Sequence, residues 1–324
     1  LDFLRLDPIP IQVCVGQPKG CFFMSRRQPR SLSYARALCA GASLWFAAQC
    51  VQAADVPQRW VSAGGSVSEW IVELGGQSHL VAVDTTSQHP ASLEQLPKIG
   101  YQRQLSAEGM LALGPDLLVG TEEMGPPPVL EQLRRASVRV EVLSSEASLN
   151  ALEQNLNHLG DWLGDPEQAR QRFAAFSADL QKLSTRLASN KDEAPKVLLL
   201  VGGAGDRPLV AGSDTVGAWL LAQAGARNLA THTGYKPLSN EMLVGLNPSF
   251  IVIADRRTNG PAAAQAFIAQ NPGLANSRAA KEKHLLPLDA TLLVGGLGPR
   301  LPAAAEALAN TFHPSLRPTA AQQP

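Results

Sequence analysis

An α/β protein of two similar lobes joined by one long α-helix, with a ligand cleft between the lobes, is the fold this 324-residue sequence predicts. Three observations carry that expectation. Short apolar runs of strand length alternate with amphipathic stretches, the rhythm of parallel βαβ units. One unbroken helical pattern runs from Asp165 to about Ser189, midway along the chain. And one segment occurs twice: residues 105–120 (LSAEGMLALGPDLLVG) aligned without a gap to 238–253 (LSNEMLVGLNPSFIVI) agree at six of sixteen positions. A Gly-Tyr pair precedes each copy, Gly100-Tyr101 and Gly234-Tyr235, the second one residue closer to its repeat.

The chain opens on a leader. From Met24, a basic head (Arg26, Arg27, Arg30, Arg36), an apolar run from Ala37 to Ala48 and small residues through Ala53 form a secretory signal, so residues 1–53 read as an upstream extension plus signal peptide. The apolar run is too short to span a bilayer. Arg26-Arg27 leaves both general and twin-arginine export open. The first lobe is expected over 54–164. Trp60–Ala63 reads as a strand, Ser66 as the cap of a helix stopped by Gly75-Gly76, and Leu80–Val83 as a buried strand. Residues 84–90 (DTTSQHP) follow as a polar loop at the strand's carboxyl end, where open α/β sheets gather ligands. Ser106 caps a helix with Glu108 in its first turn, 117–119 is a strand, 128–136 a helix and 138–142 a strand. Leucines from Leu149 to Leu163 recur at helical spacing.

The connecting helix occupies 165–190. It begins with an Asp165 cap and Pro166 in the first turn, and spans about 36 Å at 1.5 Å per residue. The second lobe, 191–315, restarts with a strand over 197–201, a Gly-rich loop and a helix from Thr215 to Ala224. The second repeat, a strand at 250–254, helix 261–270, strand 284–288 and helix 302–312 complete it, and 316–324 forms a loose tail.

Cleavage after Ala53 leaves 271 residues and removes all four cysteines, which excludes disulfides, thiolate metal sites and a cysteine nucleophile. The remainder holds 22 Lys and Arg against 26 Asp and Glu, a net charge of −4. That balance offers no electrostatic footprint for nucleic acid and no polybasic membrane patch. An exported, cysteine-free chain fits a bacterial periplasm.

Tyrosine is scarce. Tyr34 leaves with the signal, so Tyr101 and Tyr235 are the two that remain. A phenolate is a hard anionic oxygen donor suited to ferric iron, and tyrosine is a known haem ligand. The plainer reading is that both cover apolar surface and hydrogen-bond locally. Arg103 would share a face with Tyr101 if the segment were extended, where its charge would favour the phenolate. Glu108 and Glu241 either stabilise helix N-termini or form a pair of charges for a two-fold partner. Arg256, Arg257, Arg207, Lys98 and Lys236 stand in loops where they could pair with ligand carboxylates. His89 and His232 fall in cleft loops, yet no metal-binding spacing involves any histidine. No nucleophile elbow and no phosphate loop occur, so nothing points to an enzyme.

The runs at Ser62–Glu69, Val83–Ser87, Ile99–Glu108 and Gly234–Ser239 resemble the periplasmic haem-binding proteins of bacterial haem-uptake ABC transporters. The resemblance extends over nearly all of the chain after the leader, and Gly-Tyr-x-Arg-x-Leu-Ser-x-Glu is its most specific part. It implies two lobes with little hinge motion and one ferric haem b as transported ligand in the cleft. It further implies Tyr101 on the iron, Arg103 bonded to that phenolate, and Glu108 and Glu241 docked on arginines of an inner-membrane permease dimer. Tyr235 is a second-lobe contact. Arg256 and Arg257 are propionate or cleft contacts by position. The protein is expected to be monomeric. A ferric-siderophore or cobalamin carrier on the same scaffold is the alternative, followed by an exported enzyme or haem chaperone.

Overall fold

Two sheets carry the fold in the computed structural model, which describes residues 56–202, 208–255, 261–270 and 272–316, all within one compact unit. The leader expected over 1–53 lies outside the described residues, as do Arg207, Arg256 and Arg257.

In the first sheet, β1 (Trp60–Ala63), β2 (Leu80–Val83), β3 (Leu117–Thr121) and β4 (Arg139–Leu143) stand in the order β2-β1-β3-β4, all parallel. In the second, β5 (Lys196–Val201), β6 (Leu209–Ala211), β8 (Tyr235–Pro237), β9 (Phe250–Ala254) and β10 (Leu285–Leu288) run β10-β9-β5-β6-β8, with the short β7 (Arg227–Asn228) beside β5. The strands β10, β9 and β5 are parallel, whereas β6 pairs antiparallel with both β5 and β8. Continuous apolar sequence explains the central strands: Leu117 to Val119 and Ile251 to Ala254 are fully buried, as parallel strands covered on both faces must be.

The internal repeat is structural. Leu117 aligns with Phe250 and Thr121 with Ala254, and these pairs bound β3 and β9. Each strand is preceded by a short helix, Ala107–Leu111 or Asn240–Leu246. At the alignment's Gly114 and Asn247 the backbone is left-handed in both copies, φ 56° and 47°, which lets each chain turn from helix into strand. Gly100 and Gly234 match as well, at φ 88° and 70°. The lobes differ at the sheet edge, where the first has the parallel β2 and the second the antiparallel β6–β8 pair.

Between the sheets in chain order stand two helices. Leu149–Leu163, capped by Ser148, packs against Pro166–Ala188, whose Asp165 side chain accepts from the Gln168 amide. The second spans about 35 Å for 23 residues. Its buried stripe, Ala169, Phe176, Leu180 and Leu183, joins a cluster that includes Trp60, Trp70, Leu199 and Phe312, so one apolar core runs through both lobes. Among the described residues no helix is long and apolar enough to cross a membrane.

Three local expectations are corrected. Gly64, not Ser66, caps the helix Gly65–Glu73, because Gly64 takes φ 122° while the Ser66 hydroxyl reaches across to the Gly296 carbonyl at 3.1 Å. Ser106 occupies the cap position of its helix, but its side chain makes no capping bond. And Lys236, expected in a loop, lies with Tyr235 on an edge strand.

Candidate functional site

The carboxyl ends of the parallel strands converge on a cleft, as expected for open α/β sheets. Tyr101, Gln102 and Arg103 line it on the first-lobe side, with Glu123 just beyond β3. Val201, Leu209, Tyr235 and Leu293 face them. An adjoining part is bounded by Ser145, Asp214, Thr215 and Gly296, and Glu123 and Tyr235 line both parts. The structure therefore brings both predicted tyrosines and Arg103 to one cavity. A larger groove of about 390 Å³ between Pro166–Ala188 and Leu301–Phe312 lies away from the strand ends and is lined by ion-paired surface residues such as Lys182, Arg186 and Glu306.

The Tyr101–Arg103 segment is a turn, closed by the Gln104 amide donating to the Tyr101 carbonyl at 2.7 Å. The segment is therefore not extended, which was the condition for Arg103 to share a face with Tyr101. The Arg103 guanidinium pairs with Glu123 Oε1, and Gln102 Nε2 donates to Glu123 Oε2 at 3.0 Å. Glu123 is thus the residue around which this side of the site is built, and no sequence motif pointed to it.

The two tyrosines have different surroundings. Tyr101 is half-buried at the cleft wall. Tyr235 sits in register with Ala211 on β8, and its hydroxyl oxygen is enclosed without a well-formed hydrogen bond, although Thr215 and the Gly217 amide lie near. Burial pushes its phenol up to about 12, and the Glu123 carboxylate adds to the rise against Thr215, Gly217 and Arg103. At neutral pH Tyr235 is a neutral phenol.

The loop next to the Tyr101 segment is densely hydrogen-bonded. Asp84, fully buried at the end of β2, accepts from the Gly64 amide, from the Thr86 amide and hydroxyl, and from the Ser87 hydroxyl, at 2.7 to 3.1 Å. The Thr85 amide in turn donates to the Gly100 carbonyl at 2.9 Å, which ties the Asp84 loop to the residue before Tyr101.

The lobes are stapled to each other beside the cleft. Trp70 Nε1 donates to the Leu297 carbonyl at 2.7 Å, and the Ser66 amide to the Val294 carbonyl at 3.1 Å. Arg300 grips Glu69 with two bonds of 2.9 and 2.6 Å and Asp289 with one of 2.7 Å, while His89 Nε2 meets the same Asp289 oxygen at 3.0 Å. For Asp289 burial works upward, but Arg300 and Thr291 outweigh it and hold the carboxyl below its usual range.

Glu108 and Glu241 are both exposed in the first turns of the repeated helices. Met242 and Val244 beside Glu241 are exposed as well, at 59% and 39%, whereas the position matching Met242 in the first lobe is Gly109. Other sequence candidates serve the fold. Lys98 donates to the Ser87 and Leu93 carbonyls, and burial lowers its pKa. His232 Nε2 lies 3.2 Å from the Val210 carbonyl, and Lys236 is exposed on β8. Among the described residues no group of three or more His, Cys, Asp or Glu could hold a metal ion. The donors available in the cleft are phenols, a guanidinium and carboxylates amid apolar side chains, a set that suits a flat apolar ligand bearing acidic groups or a ferric centre.

Comparison with known proteins places the architecture. Residues 61–292 match the family described as periplasmic binding protein. A solved periplasmic haem-binding protein from Pseudomonas aeruginosa is 59% identical, covers 82% of this chain and 95% of its own, and superposes with a TM-score of 0.79. The periplasmic haem-binding protein of Vibrio cholerae is 35% identical over 79% of this chain and 99% of its own, with a TM-score of 0.70. A vitamin B12-binding protein of Pectobacterium atrosepticum is 26% identical over 207 residues, 63% of this chain and 74% of that protein.

Proposed function

We infer, from the premise that this chain belongs to the periplasmic binding protein family, that it is a haem-binding protein that captures haem between its lobes and delivers it to an ABC permease. The observation that carries this reading is the close likeness, 59% identity over 82% of the chain, to a periplasmic haem-binding protein. The matching family and the similar structures are described as binding proteins. Residues 54–164 and 191–315 form the two lobes, and the periplasm is the compartment.

Ferric haem b lies in the cleft with its iron on the Tyr101 phenolate. Tyr101 is preferred over Tyr235 because burial holds the Tyr235 phenol near 12 and encloses its oxygen. Iron lowers a bound phenol's pKa as any Lewis acid does, so the cargo itself assists ionisation. Tyr235 contributes a neutral hydroxyl on the second-lobe side. Arg103 shifts from Glu123 toward the phenolate when haem is present. Arg256 and Arg257, after β9, serve the propionates. Glu108 and Glu241, exposed at matching places on the two lobes, meet arginines of the permease dimer; the symmetry of the repeat matches that of such a partner. The carrier acts as a monomer.

Addition of haemin to the purified protein tests the reading. A high-spin ferric tyrosinate spectrum that disappears in Tyr101→Phe is the expected result. No haem binding by the unaltered protein overturns the function, and an unchanged spectrum in the variant overturns the ligand. Glu108→Ala and Glu241→Ala should lower haem uptake by cells while leaving haem affinity intact.

A further inference from the structure

We propose that Glu123 competes with the cargo for Arg103, so that its carboxylate weakens haem retention and speeds release. The inference rests on the haem-carrier reading above and concerns a residue to which that reading gives no effect on how firmly haem is held.

Glu123 leaves the carboxyl end of β3 and is partly buried, its side chain 29% exposed. Both carboxylate oxygens are taken by the turn that carries Tyr101, one by Arg103 and the other by Gln102. The backbone presets this arrangement. The Gly125 amide donates to the Gln102 carbonyl at 2.9 Å, and the Leu105 amide to the Gly125 carbonyl at 2.8 Å, so the turn and the Glu123 loop are laced together on both sides of the pair. An ion pair between side chains held in this way loses less entropy than one between free surface chains, and is correspondingly stronger.

The charges of the cleft make the pairing costly to the cargo. Among the described residues that line it, Arg103 is the one cation, and Glu123 and Asp214 are carboxylates. Asp214 is already engaged by the Gly234 amide. A haem brings two propionates, and a phenolate on its iron is a further anion, so the bound state gains from a free guanidinium. Glu123 withholds it. A carrier must also let go, and a built-in competitor for the stabilising cation sets how firmly haem is held.

Transfer of haem from the full-length loaded protein to excess apomyoglobin measures release. Glu123→Gln should slow it about 3- to 5-fold, the upper part of the range for an exposed ion pair. Glu123→Asp, which keeps the charge, should stay near the unaltered rate. In an Arg103→Ala background Glu123→Gln should have no effect, which a purely structural role for Glu123 would not produce. Release from Glu123→Gln that is unchanged or faster overturns the proposal, and so does an effect of equal size without Arg103. If Glu123→Gln does not fold, Glu123→Ala is crossed with Arg103→Ala and read by the same criteria. Failure of the unaltered protein to bind haem sinks the function itself. Binding by the unaltered protein with no change in Glu123→Gln sinks only the role of Glu123.

Discussion

Glu69→Ala tests whether the lobes are held by their ionic staple or merely rest on each other. The Glu69 side chain is 5% exposed and accepts two charge-assisted bonds from Arg300, at 2.6 and 2.9 Å. Removing one partner from a buried pair costs about 3–5 kcal/mol, because the other charge is left without compensation. Here the cost is smaller. Arg300 is 30% exposed and keeps Asp289 and the Thr291 hydroxyl, so water and the second carboxylate recover part of the loss. A cost of about 2 kcal/mol follows, which in a chain of this size lowers the melting temperature by about 3–4 °C. Thermal unfolding of the apo protein followed by circular dichroism reads the shift. Arg300→Ala alone and both changes together complete a cycle whose coupling should be about 1–2 kcal/mol. A fall of less than about 1 °C in Glu69→Ala, or simple additivity in the cycle, refutes the staple and leaves Trp70 and Ser66 to hold the interface.

Other outcomes follow from individual positions. Tyr235→Phe removes a hydroxyl that is enclosed without a well-formed bond, so apo stability should hold or rise slightly, while haem release quickens if that hydroxyl meets the ligand; melting and haem transfer are measured on the same sample. Gly212→Ala would set a Cβ 2.2 Å from the His232 carbonyl oxygen and 2.6 Å from that of Gly234, displacing the segment that leads into Tyr235; a loss of about 3 kcal/mol or more in denaturant unfolding is expected. Asp289 has its pKa depressed in the folded state, so its contribution is present above the ordinary carboxylate value of 3.8 and is lost as pH falls through the lower folded value. Stability should therefore decline on acidification below about pH 4, and Asp289→Asn should flatten that part of the profile in a urea titration at each pH.

Much of the scaffold was legible because its signals are local. The apolar strands, the Asp165-Pro166 helix start and the repeat all lie within windows that a periodicity can fill, and β3, β9 and the helix Pro166–Ala188 stand where those windows put them. The antiparallel edge was not legible. β6 and β8 have three residues each, too few for an alternation to declare itself. Nor was the staple: Glu69 and Arg300 are 231 positions apart, and neither has a neighbour that hints at the other. Glu123 escaped for a related reason. Its role comes from the turn at Tyr101–Arg103, and once that turn closes, Arg103 is directed toward Glu123 rather than along an extended strand beside Tyr101.

The duplication explains both what the two lobes share and where they part. Each lobe inherits a left-handed glycine, a tyrosine, a short helix opening on a glutamate and a strand, and the glutamates remain alike because each projects from a helix start into solvent. The tyrosines do not remain alike, because the segments that carry them differ. In the first lobe the chain after Gly100 curls into a turn beside a guanidinium. In the second it becomes the edge strand β8, which lays the phenol against Thr215 and Gly217 and closes water away from its oxygen. Desolvation then favours the neutral form of Tyr235. A repeated scaffold thus sets the two tyrosines in unlike surroundings, and the difference originates in whether three residues after a glycine join a sheet.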